Sequence, residues 1–127
     1  MSRPPQRLGL GREQRIKQGR DFVRLRNLGE RVAAGCLVAN WAALPAGVSS
    51  RLGVITSGKL GGAVVRSRAR RLLRESFRRH QRALRQPVEL ILVARPSIVG
   101  RGLATVEADL LKALQRAGLL AAPAAGA

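Results

Sequence analysis

The chain has 127 residues, which fits one domain able to bury a modest core without metal or disulfide support. Lys and Arg number 24 against 7 Asp and Glu, a formal net charge of +17 with Arg in large excess over Lys, and this points to a polyanionic partner because guanidinium matches phosphate and desolvates more readily than ammonium. A membrane surface would call for a basic amphipathic helix with bulky aromatic residues; aromatics are only 2% of the chain, so composition favours nucleic acid.

Cys36 is the single cysteine, so no intrachain disulfide can form; it reads as a small buried hydrophobe in a reducing compartment. The opening stretch, MSRPPQRLGLGREQRIKQGR, has no apolar segment of the secretory kind, and no window approaches 18 apolar residues. The reading is a soluble, cytoplasmic protein.

In chain order, residues 1–17 are expected to be a disordered basic arm, 18–118 the folded domain and 119–127 a disordered tail. Phe22, Val23, Leu25 and Leu28 recur at helical spacing, with Asp21 near the start and Gly29 as a stop, predicting a short first helix. The small apolar run RVAAGCLVANWAAL reads as one or two strands ending at Pro45 and Gly47. In SSRLGVITS the alternation sets Leu52, Val54 and Thr56 against Gly53, Ile55 and Ser57, which predicts a strand. Ala63 to Arg85 contains no Gly or Pro and is the clearest helix, stopped by Pro87. VELILVA then sets Val88, Leu90, Leu92 and Ala94 against Glu89, Ile91 and Val93 in a well-buried strand. The last helix is predicted from Thr105 as N-cap, with Glu107 and Asp109 in its first turn, Arg116 in its last and Gly118 at its end. The sum is an α+β chain with helices layered on one sheet face.

The long helix carries the functional signal. On a wheel of about 100° per residue, Val65, Ala69, Leu72, Leu73, Ser76, Phe77, His80, Ala83 and Leu84 share one arc, the expected core stripe. Arg66, Arg70, Arg74, Arg78 and Arg82 wind round the rest at i+4, and Arg68, Arg71, Arg79 and Arg85 fill between them. A merely solvated face would mix acids with bases, since opposite charges at i,i+4 stabilise by about 0.2–0.5 kcal/mol per pair. Glu75 is the only acid here, so the face reads as phosphate-binding. Five or six phosphate contacts would give a slope of about −4 to −5 for log affinity against log salt. Gly58, Gly61 and Gly62 precede the helix, where backbone N–H groups and Lys59 could hold an anion, although GKLGG lacks the spacing and the Ser or Thr of a Walker loop.

The stretch KLGGAVVRSRARRLLRESFR closely resembles the signature of the bacterial ribonuclease P protein family, in which Lys-x-Gly-x-Ala-Val-x-Arg-Asn-Arg opens a basic helix. Lys59, Gly61, Ala63, Val64, Arg66, Arg68, Arg70, Arg71 and Arg74 fall in place, and RIKQGRDFVRL, SSRLGVITSGK and PVELILVARPSI resemble the flanking elements, so that the likeness spans about residues 12–118. It implies a two-layer α/β sandwich of order αβββαβα, with a sheet of about four strands, a long basic helix and a left-handed crossover. It also implies binding to a catalytic RNA, ribonuclease P RNA, through Lys59, Arg66, Ser67, Arg68, Arg70, Arg71, Arg74 and Arg78. The 5′ leader of precursor tRNA would lie in a cleft containing Phe22, Arg24, Arg26, Val38 and Asn40. The RNA would perform the Mg²⁺-dependent hydrolysis and hold most of the Mg²⁺, with the protein a monomer in a 1:1 complex.

The residues agree with an accessory role, because one histidine and seven scattered acids offer no evident two-metal or acid–base constellation. His80 reads as a packed or capping residue. Three positions depart from the family pattern: Ser67 stands where the family has Asn, Arg26 where it has the second aromatic of the first helix, and Asn40 where it has a strand aromatic, with Trp41 expected on the opposite face. The cleft is therefore expected to lean on Arg24, Arg26 and Asn40. A rival from another class is a non-enzymatic RNA-binding protein, such as a ribosomal protein or RNA chaperone, which would show no dependence on the leader.

Overall fold

A computed structural model describes residues 29–120. The strands are β1 (Glu30–Ala34), β2 (Leu37–Ala43), β3 (Arg51–Ile55) and β4 (Val88–Ala94); the helices are α1 (Ala63–His80) and α2 (Leu103–Arg116). The expected basic arm and first helix, with Phe22, Arg24 and Arg26, lie outside the described residues, as do residues 121–127 of the expected tail. What is described runs βββαβα, matching the order expected after the first helix.

The sheet order is β1-β2-β4-β3; β1 and β4 each pair antiparallel with β2, while β3 runs parallel to β4. The run read as one or two strands is therefore a hairpin. Gly35, at φ +53°, takes the first central position of its two-residue turn, where glycine meets no Cβ penalty. Asp109 of α2 closes over this turn, its Oδ2 accepting the Cys36 N–H at 2.9 Å. A Cβ on Gly35 would collide with that same carboxylate, so the approach requires glycine. Cys36 is 2% exposed. Burial pushes its thiol up to about 12, helped by a hydrogen bond and the negative charge of Asp109.

Alternation places the core as the sequence indicates. Leu37 and Ala39 of β2, Leu52 of β3, and Val88, Leu90, Leu92 and Ala94 of β4 face the helices; Trp41 and Val54 pack at the margin of the same cluster. Ala69, Leu73 and Phe77 of α1 and Val106, Leu110, Ala113 and Leu114 of α2 complete it. Ile91 belongs to a second cluster, with Ala42, Ile55 and Val93 packed against it on the other sheet face.

Three expectations need correction. Ala83, placed in the core stripe, is exposed: α1 ends at His80 and a 3₁₀ turn over Gln81–Ala83 resets the wheel. The last helix starts at Leu103, with Gly102 rather than Thr105 as N-cap. Leu103 is half-buried and sits three residues before Val106, so it carries the apolar stripe one turn further than a capping hydroxyl at Thr105 would allow. Leu119 and Leu120, assigned to the tail, are buried. Gly118, at φ +76°, turns the chain back, Leu119 N–H reaches Leu114 O at 2.9 Å, and Leu84 pairs with Leu120 in an isolated bridge.

Candidate nucleic-acid interface

Helix α1 begins where the Gly58–Leu60 turn delivers the chain to Gly61, at φ +140°, and Gly62. The N-cap Gly62 offers no side-chain oxygen and no acid occupies the first turn. Burial of Leu60, Ala69 and Leu73 fixes the phase of the helix, leaving Lys59, Ser67, Arg68 and Arg71 exposed and Arg66, Arg70, Arg74 and Arg78 half-buried at its flanks. The structure thus gathers all eight expected RNA-binding residues along α1 and the turn before it.

Their partners differ along the helix. Arg70 is held between two hydroxyls: Nη1 donates to Thr56 Oγ1 at 2.8 Å and Nη2 to Ser67 Oγ at 3.1 Å. Neither contact neutralises its charge. Arg66 Nε is buried with no acceptor among the described residues, and a phosphate oxygen would supply one. Among the described residues, Lys59, Arg68 and Arg71 have no ion-pair partner. In the second half, Arg78 Nε donates to Glu75 Oε1 at 2.9 Å, and this bond holds the half-buried Glu75 carboxyl below its usual range and raises Arg78. Arg79 Nε lies 3.4 Å and His80 Nε2 2.7 Å from Glu107 Oε2 of α2. His80 is thus a packing residue that joins the two helices, one of the roles its place on the stripe indicated.

Of the expected leader cleft, Val38 and Asn40 are described. Both lie on the sheet face away from the helices, Val38 beside Ala33 and Val93, Asn40 beside Arg31 and Ile91. Trp41 is on the opposite face, packed against the core, as the alternation required. Below Asn40, Arg51 Nη1 reaches Glu89 Oε2 at 3.1 Å. Thr56 was not among the expected site residues; its position at the end of β3, just before the glycine turn, was the available signal. Among the described residues no group of three or more His, Cys, Asp or Glu forms a candidate metal site, and no helix is long and apolar enough to cross a membrane.

A family model described as Ribonuclease P matches residues 10–118. Among curated relatives, the ribonuclease P protein component of Desulfatibacillum aliphaticivorans is 40% identical over 85 residues, covering 66% of this chain and 70% of that one. That of Brevibacillus brevis is 30% identical over 109 residues, covering 86% of each. The fold is similar to the RNase P protein of Staphylococcus aureus, with a TM-score of 0.75 at 28% identity over 85% of this chain and 98% of that one. It is also similar to the Thermotoga maritima protein, with a TM-score of 0.71 at 26% identity over 80% and 96%. The α+β fold with its four-stranded mixed sheet, the basic helix and these likenesses lead to one assignment: the chain belongs to the ribonuclease P protein family.

Proposed function

We propose that the chain is the protein subunit of a ribonuclease P ribonucleoprotein, binding the catalytic RNA in a 1:1 complex and supporting removal of the 5′ leader from precursor tRNA. The observation that carries this reading is the first half of α1. Arg66, Arg68, Arg70 and Arg71 are presented there with no acidic partner among the described residues, while the carboxylates of Glu75 and Glu107 pair further along. Lys59, Arg74 and Arg78 extend the same surface. Charge of one sign on a rigid helix suits the evenly spaced phosphates of a folded RNA.

The leader is assigned to the sheet face that bears Val38 and Asn40, together with Phe22, Arg24 and Arg26. With aromatics scarce, recognition there rests on Asn40 and the arginines more than on stacking. Hydrolysis is assigned to the RNA, together with most of the Mg²⁺, as the family resemblance implies, with the protein in an accessory role. The complex would work in the cytoplasm.

Reconstitution with a bacterial ribonuclease P RNA at low Mg²⁺ and moderate salt tests the proposal. Stimulated cleavage at the 5′ end of mature tRNA is expected; cleavage no faster than with RNA alone removes the reading. Phe22→Ala should weaken binding of precursor tRNA and leave mature tRNA unaffected, whereas equal losses for both would remove the leader assignment.

A further inference from the structure

We infer that a slot between the first turns of α1 and the turn after β4 receives one unstacked base of the RNA partner. The inference deepens the RNA-binding reading and rests on it. The slot has a volume of about 230 Å³, with Val64, Val65, Arg68 and Ala69 on the helix side and Ile98 and Val99 facing them. Val64 is 83% exposed and Val99 47%, and these are two of only three exposed large hydrophobics among the described residues. Their meeting at one place separates them from the scattered apolar residues that any surface carries. A helix that touched phosphates alone would gain nothing from them.

Charge selects the occupant. Arg68 lines the slot itself, Arg66 and Arg71 lie on the same two turns, and Arg101 adds charge from the facing turn, where its Nε donates to Ser97 O at 3.2 Å. A second copy of the chain brings the same +17 and is repelled. An apolar peptide or lipid tail has no use for the arginines. An unpaired nucleotide satisfies both features, its base lying against the valines while its phosphates meet Arg68 and its neighbours, and splayed single-stranded bases are the usual means by which proteins read RNA. Gly100, at φ +83°, also lines the slot, and a Cβ there would meet no neighbouring atom.

Apolar contact and phosphate contact respond differently to salt, and this separates the two. Binding of the full chain to a bacterial ribonuclease P RNA would be titrated over a range of KCl for the wild type, Val64→Ser/Val99→Ser and Arg71→Ala, with dimethyl sulfate reactivity of the RNA read in each complex. The valine variant should lose about tenfold in affinity at every salt concentration, the size expected from losing the apolar contact of two side chains. Its salt slope should not change, and one unpaired base protected by the wild type should become reactive. Arg71→Ala should make the slope shallower by about 1 and keep that base protected. Wild-type affinity in the valine variant, or no difference in base reactivity, overturns the slot. Loss in the valine variant of a self-association shown by the wild type also overturns it, assigning the slot to a second copy. If Arg71→Ala weakens binding and the valine variant does not, only the slot falls; if the wild type does not bind the RNA, the reading beneath it falls as well. Both valines are exposed, so unchanged thermal melting of the variant checks that folding is intact.

Discussion

The two halves of α1 treat the same residue type in opposite ways. In the second half, arginine is matched with acid: Arg78 is bound by Glu75, and Arg79 and His80 converge on Glu107 of α2. In the first half the groups that answer arginine are hydroxyls, Thr56 and Ser67 around Arg70, and Arg68 and Arg71 have no acidic partner among the described residues. A hydroxyl orients a guanidinium and leaves its charge intact. A carboxylate orients it and cancels much of its attraction for phosphate. The crowding of like charge is thus divided, with ion pairing where α1 packs on α2 and uncompensated charge where the helix emerges from the glycine turn.

That contrast can be broken at graded strengths. Replacing Arg66, Arg68 and Arg71 together by alanine should lower affinity for ribonuclease P RNA roughly a thousandfold, about tenfold per lost charged contact, measured by filter binding at fixed salt. Arg78→Ala/Arg79→Ala should cost far less, and equal losses from the two sets would erase the distinction. Ser67→Ala, which frees one side of Arg70, should weaken binding about fivefold, the size of one ordinary hydrogen bond. Thr56→Val should do the same, their combination should be less than additive because both act through Arg70, and Ser67→Thr should restore binding.

Stability responds to different residues. Ser76 is fully buried on the core stripe and its hydroxyl has no partner among the described residues, so Ser76→Ala should raise stability by about 1 kcal/mol in chemical denaturation and leave RNA affinity unchanged. The smallest effect is pH-dependent. Because Arg78 depresses the folded-state carboxyl of Glu75 below 4.5, this pair's contribution is present at neutral pH and is lost as pH falls below that value. Glu75→Gln should therefore narrow the gap between melting temperatures at pH 7 and pH 3.

Much of this division could be read from the sequence. Alternation placed Asn40 and Trp41 on opposite faces of β2, and the wheel placed Leu73 and Phe77 inward, because burial imposes period 2 on strands and 3.6 on helices. The same periodicity could not show that α1 tightens into a 3₁₀ turn after His80, which moved Ala83 out to solvent. It could not show that Gly118 folds Leu119 and Leu120 back onto the core. The acids were visible but their partners were not. Glu107 and Asp109 look like first-turn residues favoured by the helix dipole, yet tertiary packing turns one towards His80 and the other onto the Gly35–Cys36 turn. In the sequence Ser67 stood as an expected RNA contact and as a departure from the family pattern, with no sign of what its hydroxyl would do. The structure gives it an acceptor's role beside Arg70, which required the position of Thr56 to be known.

The salt dependence of binding tests the central claim most directly. Affinity of the chain for ribonuclease P RNA would be measured from low to moderate KCl for the wild type, Arg71→Ala and Arg79→Ala. A wild-type slope of about −4 to −5, made shallower by about 1 in Arg71→Ala and unchanged in Arg79→Ala, is the predicted result. A slope near zero, or equal changes from the two substitutions, would contradict the assignment of the phosphate contacts to the first half of α1.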